Sequence, residues 1–174
     1  MKKKATALAA LISMCVIVTA GIGAVSASDE PVAGITMYKI NPDGTTTPIK
    51  TFEGSGPMVV TATMNEDGSM DMTKEDRRIS EDELCGGLGL DNCPNIHKVT
   101  PETELPVNIE DENGGITAGI LNPSEKIDAS PMTTYYQACA WNNVIGWSCC
   151  AYSYNYNGGA GAEASDGYVS CWYW

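Results

Sequence analysis

The sequence predicts a mainly β fold: antiparallel hairpins with one short helix, held by disulfides and ending in an aromatic, cysteine-rich β-hairpin unit. Three observations predict it. Asx-Gly turn signals recur between short runs rich in Thr, Val, Ile and Met. Near the C-terminus Tyr and Trp alternate with other residues at period two. Six cysteines follow a leader-like N-terminus. Turn residues between β-prone runs mark hairpins, and an even cysteine count in an exported chain marks a disulfide framework.

Residues 1–27 read as a signal peptide. Lys2, Lys3 and Lys4 form a positive start, residues 5–24 are apolar, and Val25-Ser26-Ala27 is a small-x-small cleavage signature. Small residues at the end of the apolar run (Ala20, Gly21, Gly23, Ala24) favour cleavage over a retained anchor. The expected location is therefore secreted, extracellular or cell-surface. Three of the ten basic residues lie in this leader, so seven remain against 22 acidic ones, a net charge of −15. Such a surface repels nucleic acid and anionic lipid, and it suits loose binding of divalent cations.

Residues 28–127 form an acidic, β-rich region. Asn41-Pro42-Asp43-Gly44 separates 35–40 from 45–49, and Asn65-Glu66-Asp67-Gly68 separates 58–64 from 69–72. Glu112-Asn113-Gly114-Gly115 separates 107–109 from 116–121. Asp-Gly and Asn-Gly tolerate the positive φ that tight hairpins require. Met58, Val60, Ala62 and Met64 alternate with Val59, Thr61 and Thr63, which gives that strand one apolar face. A short surface helix is expected within 74–85, with Thr73 and Ser80 as candidate caps and Gly86-Gly87 as its stop. Placing Gly68 at the sixth position of a calcium loop puts Thr63 and Lys74 where oxygen ligands are needed, so Asp67 reads as a turn residue. Cys85 and Cys93 bracket a glycine-rich loop and are the expected local disulfide. The shift in composition over 122–131 marks the boundary with the next region.

Residues 128–174 form the aromatic, cysteine-rich region. Eleven of the thirteen aromatic residues lie between Tyr135 and Trp174, a stretch without Lys, Arg or His. A strand over 133–141 alternates Tyr135, Gln137, Cys139 and Trp141. Tyr152, Tyr154 and Tyr156 share one face of a second strand. A glycine-rich loop from Gly158 to Gly167 follows, and Tyr168, Ser170, Trp172 and Trp174 share a face of the last strand. The two ring-bearing runs are expected to pair as a hairpin, with the terminal Trp172-Tyr173-Trp174 on an edge open to strand addition. Cys149 and Cys150 are neighbours and reach separate partners, so 139–149 with 150–171 and 139–150 with 149–171 are both open. The rings Tyr152, Tyr154, Tyr156, Tyr168, Trp172 and Trp174 are the expected contact surface, because so small a unit cannot hide them all.

Catalytic and metal chemistry find little footing. Gln137-Ala138-Cys139 and Ser148-Cys149-Cys150 lack the surroundings of known cysteine nucleophiles, and His97 is the single His. There is no C-x-x-C pair for zinc. Gly146-Trp147-Ser148, the run 152–156 and the terminal Trp172-Tyr173-Trp174 resemble the lactococcin-972-like exported bacteriocins, whose short products are Tyr/Trp-rich and β-forming. That family is cationic or neutral and His-bearing, whereas this segment is acidic. The leading expectation is a secreted, non-enzymatic, cofactor-free extracellular or envelope protein for structure, adhesion or self-assembly. Its partner would be itself, a cell-surface protein or a glycan. The alternatives are a precursor releasing an antimicrobial or signalling peptide from 128–174, and a carbohydrate-binding module.

Overall fold

The computed structural model describes residues 32–87, 95–111, 114–121, 135–154 and 157–174. The expected leader, Cys93, the turn at Glu112-Asn113, the boundary at 122–131 and Tyr156 lie outside the described residues.

The chain folds as two antiparallel sheets packed face to face, with one short helix. In chain order the elements are β1 (Ala33–Ile40), β2 (Thr46–Gly54), β3 (Met58–Met64), β4 (Met70–Glu75), α1 (Glu81–Gly87), β5 (Asn95–Val99) and β6 (Val107–Asp111). There follow β7 (Gly114–Ile120), β8 (Tyr135–Asn142), β9 (Trp147–Ser153), β10 (Gly159–Ser165) and β11 (Tyr168–Tyr173). One sheet has the order β2-β1-β8-β9-β7-β6 and the other β4-β3-β10-β11-β5. The four late strands thus occupy the middle of both sheets, and the acidic region supplies the flanks of each.

All three expected hairpins form: β1 with β2, β3 with β4, and β6 with β7. The first two turns are the same device. Gly44 and Gly68 both have φ of 79°. Asp43 Oδ1 accepts from the N–H and hydroxyl of Thr45, and Asp67 Oδ1 accepts from those of Ser69. Asn65 donates to Ser69 Oγ and to Asp71 Oδ2, so these side chains are committed to turn geometry. The Ser69 hydrogen bonds hold the Asp67 carboxyl below its ordinary pKa.

The apolar face expected for β3 lies inside: Met58, Val60, Ala62 and Met64 are all buried. Met58, Val60 and Ala62 share one cluster with Ala160, Ala162, Ala164, Val169, Cys171 and Tyr173 of their own sheet and Ile35, Met37, Ala138, Ala140, Cys149 and Ala151 of the other. This central layer is built largely of small side chains, which lets the sheets approach closely. Polar clasps join the sheets around it. Asn142 Nδ2 donates to Ser165 O at 2.6 Å, Tyr136 OH to Gly68 O at 3.0 Å, and Ser153 Oγ to Trp174 O at 3.1 Å.

Four expectations are corrected. The ring-bearing runs do not pair with each other: β9 lies between β8 and β7, while β11 lies between β10 and β5 in the opposite sheet. The glycine-rich stretch is a strand, β10, because its Gly and Ala residues fit beneath the rings of β11 and against the core. The terminal strand is consequently interior to its sheet. Thr73 and Lys74 belong to β4, and Ser80 alone caps α1, accepting from Glu83 N–H at 3.2 Å.

Candidate functional site

The cysteines come first because they fix the site's frame. Side chains alternate across a strand, so Cys149 and Cys150 leave β9 on opposite faces. Cys150 bonds Cys139, its direct partner in register on β8. Cys149 crosses the core to Cys171 on β11, with a Cα separation of 5.7 Å. Of the two connectivities open in the sequence, 139–150 with 149–171 is the one adopted. Cys85 is disulfide-bonded as well. His97 stands opposite Cys171 in register, and Cys149 Sγ lies 3.7 Å from His97 O. Both neighbouring sulfurs are tied up in the cystine. Burial holds the His97 imidazole below its ordinary pKa.

The aromatic residues obey a rule that composition does not reveal. Trp141 lies over Gly34, Tyr152 over Gly115, Trp172 over Gly161 and Trp174 over Gly159. The first three pairs are direct cross-strand neighbours, and Gly159 and Trp174 exchange both backbone hydrogen bonds. A glycine opposite each ring leaves room for it to cover the sheet's outer surface instead of standing away from it. Four rings are thereby absorbed on the outer faces, while Tyr173 packs in the core between the sheets.

The expected contact surface shrinks accordingly. Tyr152 and Trp172 are fully buried. This corrects their assignment as exposed contacts: Tyr152 packs with Ile40 and Tyr154, while Trp172 packs under Leu84 beside Val59. Tyr154, Tyr168 and Trp174 remain partly exposed, as do Trp141 and Trp147.

The outer face of the five-stranded sheet collects the most unusual chemistry. Between the end of β4 and the start of β5 the chain passes from one edge of this sheet to the other. On the way, Leu84 and Ile79 pack on Trp172 and Val59. Beneath this crossing lies Glu163, 3 % exposed, in the middle of β10. Tyr168 donates to Glu163 Oε1 at 2.5 Å, and the Ile79 backbone N–H also bonds the carboxylate. Lys98 Nζ stands 3.7 Å from the Tyr168 ring centroid and Arg78 Cζ 5.9 Å from it. Burial pushes the Glu163 carboxyl above its ordinary pKa, against the opposing pull of Tyr168, Lys98, Arg78 and Ile79 N–H. Burial and Glu163 together raise the Tyr168 hydroxyl. Neither Glu163, Lys98 nor Arg78 stood out as a site residue in the sequence. The available signal was a lone carboxylate in an otherwise small, uncharged run, Gly159–Ser165.

This arrangement has a pH signature. A carboxyl whose folded pKa is raised keeps its proton in the native state after the unfolded chain has released it. Stability then falls as pH rises through that window, from the ordinary carboxyl value up to the raised one. Urea unfolding of wild type and Glu163→Gln at several pH values should show wild type gaining on the variant as pH drops through the window. Parallel curves would remove the assignment.

Among the described residues, no group of three or more His, Cys, Asp or Glu side chains is placed to hold a metal ion. No helix of the described residues is long and apolar enough to cross a membrane. No family model, curated protein or solved structure matches the chain.

Proposed function

We propose that this chain is an exported, non-enzymatic component of the cell envelope or extracellular space, serving structure, adhesion or self-assembly through the part-exposed rings of its late strands. The observation that carries the reading is the position of the cystines. They lock the central strands of both sheets, one within a sheet and one across the sandwich. Crosslinks of this kind form and persist in oxidising compartments.

The sheet edges favour contact through faces and rings over edge-to-edge pairing. β2 carries Pro48, Lys50 and a bulge at the Met37/Tyr38 step. β4 carries Asp71, Lys74 and Glu75, and β5 and β6 have five residues each. Charge, proline, bulges and short length all blunt strand addition. Release of 128–174 as a free peptide would withdraw β8 to β11 from the middle of both sheets.

Intact mass of material taken from the native surroundings, measured without reductant, tests the proposal. The expected species spans 28–174 and carries three cystines. Reduced sulfurs, or a mass retaining the leader in the cytosol, would sink it.

A further inference from the structure

Resting on the reading of the late rings as a contact surface, we infer that 76–85 is a displaceable strap over a latent platform for an oligosaccharide, formed by Trp172, Trp174 and Tyr168 with Glu163. The strap takes up, one by one, the groups such a ligand would use. Its Ile79 and Leu84 side chains cover the indole of Trp172, where the apolar face of a sugar ring would stack. Its Ile79 N–H bonds Glu163, where a sugar hydroxyl would donate. Its Arg78 stands over Tyr168.

Two groups are left unserved. Among the described residues, Trp172 Nε1 is buried without an acceptor, and Ser165 Oγ on the same face of the sheet is buried without a partner. Buried donors in native proteins are nearly always paired. An indole N–H and a hydroxyl left open beside a carboxylate and a phenol make a set of polar groups that a polyhydroxylated ligand completes.

Apart from the disulfide of Cys85 at its C-terminal end, the strap is weakly held. Leu84 is the only buried side chain between Asp76 and Gly86. The ion pairs of Arg77 with Glu83, within the crossing, and with Glu75, at the end of β4, are exposed, and such pairs contribute little. α1 has seven residues, two of them glycine, and glycine disfavours helix. Trp172 and Trp174, by contrast, are seated on Gly161 and Gly159 and stay in place when the strap leaves.

The test uses the purified, disulfide-intact protein with cellohexaose and chitohexaose as probes, followed by calorimetry and by amide hydrogen exchange across 77–84. Wild type should bind one of them weakly, Leu84→Ser at least tenfold more tightly, and Leu84→Ser/Trp172→Ala at least tenfold less tightly than Leu84→Ser. Should Leu84→Ser fail to fold, saturating probe should accelerate exchange at 77–84 in wild type. Absence of binding by a protein whose strap exchanges freely overturns the inference. So does binding indifferent to Trp172→Ala, or binding that leaves strap exchange unchanged. Export and cystine state are read on native material, so failure there is distinct from failure here.

Discussion

Replacing Cys149 and Cys171 together by alanine should lower stability by about 3–4 kcal/mol and the melting temperature by roughly 10 °C. The chain-entropy contribution of a crosslink grows with the loop that it closes, and this one spans 22 positions against 11 for Cys139–Cys150. Doubling the loop is worth only about 0.6 kcal/mol, so the two bridges should differ modestly in equilibrium effect. Their roles differ more. Cys139–Cys150 joins strands that already share a hydrogen-bond ladder. Cys149–Cys171 joins two sheets that otherwise meet through small side chains and a few polar clasps. Urea unfolding of the two double variants provides the comparison. A loss below about 1 kcal/mol for Cys149→Ala/Cys171→Ala would mean that apolar burial alone holds the sandwich closed.

A single methyl group should be almost as damaging. Gly161→Ala places a Cβ less than 3.0 Å from three indole atoms of Trp172. That ring is fully buried and packed beside Val59 of the same sheet, so relieving the clash means displacing it from its seat. Overpacking of this kind costs about 3 kcal/mol. Gly34→Ala should behave alike, because the new atom meets the Phe52 carbonyl as well as Trp141. Gly119→Ala supplies the control: nothing lies within 4 Å of its Cβ position, and the change should stay within about 0.5 kcal/mol. A thermodynamic cycle with Trp172→Leu separates the mechanisms. If the clash is the cause, Gly161→Ala becomes nearly neutral in that background; an unchanged cost would point to the strand backbone instead.

What the sequence made legible follows the range of the interaction responsible. The three hairpins rest on turns a few residues long, and the Asn-x-Asp-Gly signals at 41–44 and 65–68 carry them. The buried face of β3 is readable from its alternation. The Ser80 cap is readable too, although Thr73 offers a similar signal and loses because β4 claims it as a ladder residue opposite Thr61. Pairing across long separations leaves no such trace. Whether Trp172 faces a tyrosine of β9 or Gly161 of β10 depends on which strand lies beside it, and both runs have the right period. The same ambiguity hid the cystine connectivity, since adjacent cysteines on a strand point oppositely and only the sheet assignment says what each one meets. Glu163 escaped notice for a related reason: besides Tyr168 of the adjacent strand, its environment is made by Lys98 and the crossing chain, which come from distant parts of the sequence.

The nesting of early strands around late ones sets an order of events. A ribosome delivers β1 to β7 first, yet neither sheet can close until β8 to β11 arrive to sit between them. Until then the nascent chain holds separate hairpins with no common interior. The final forty residues act as the keystone that draws them together.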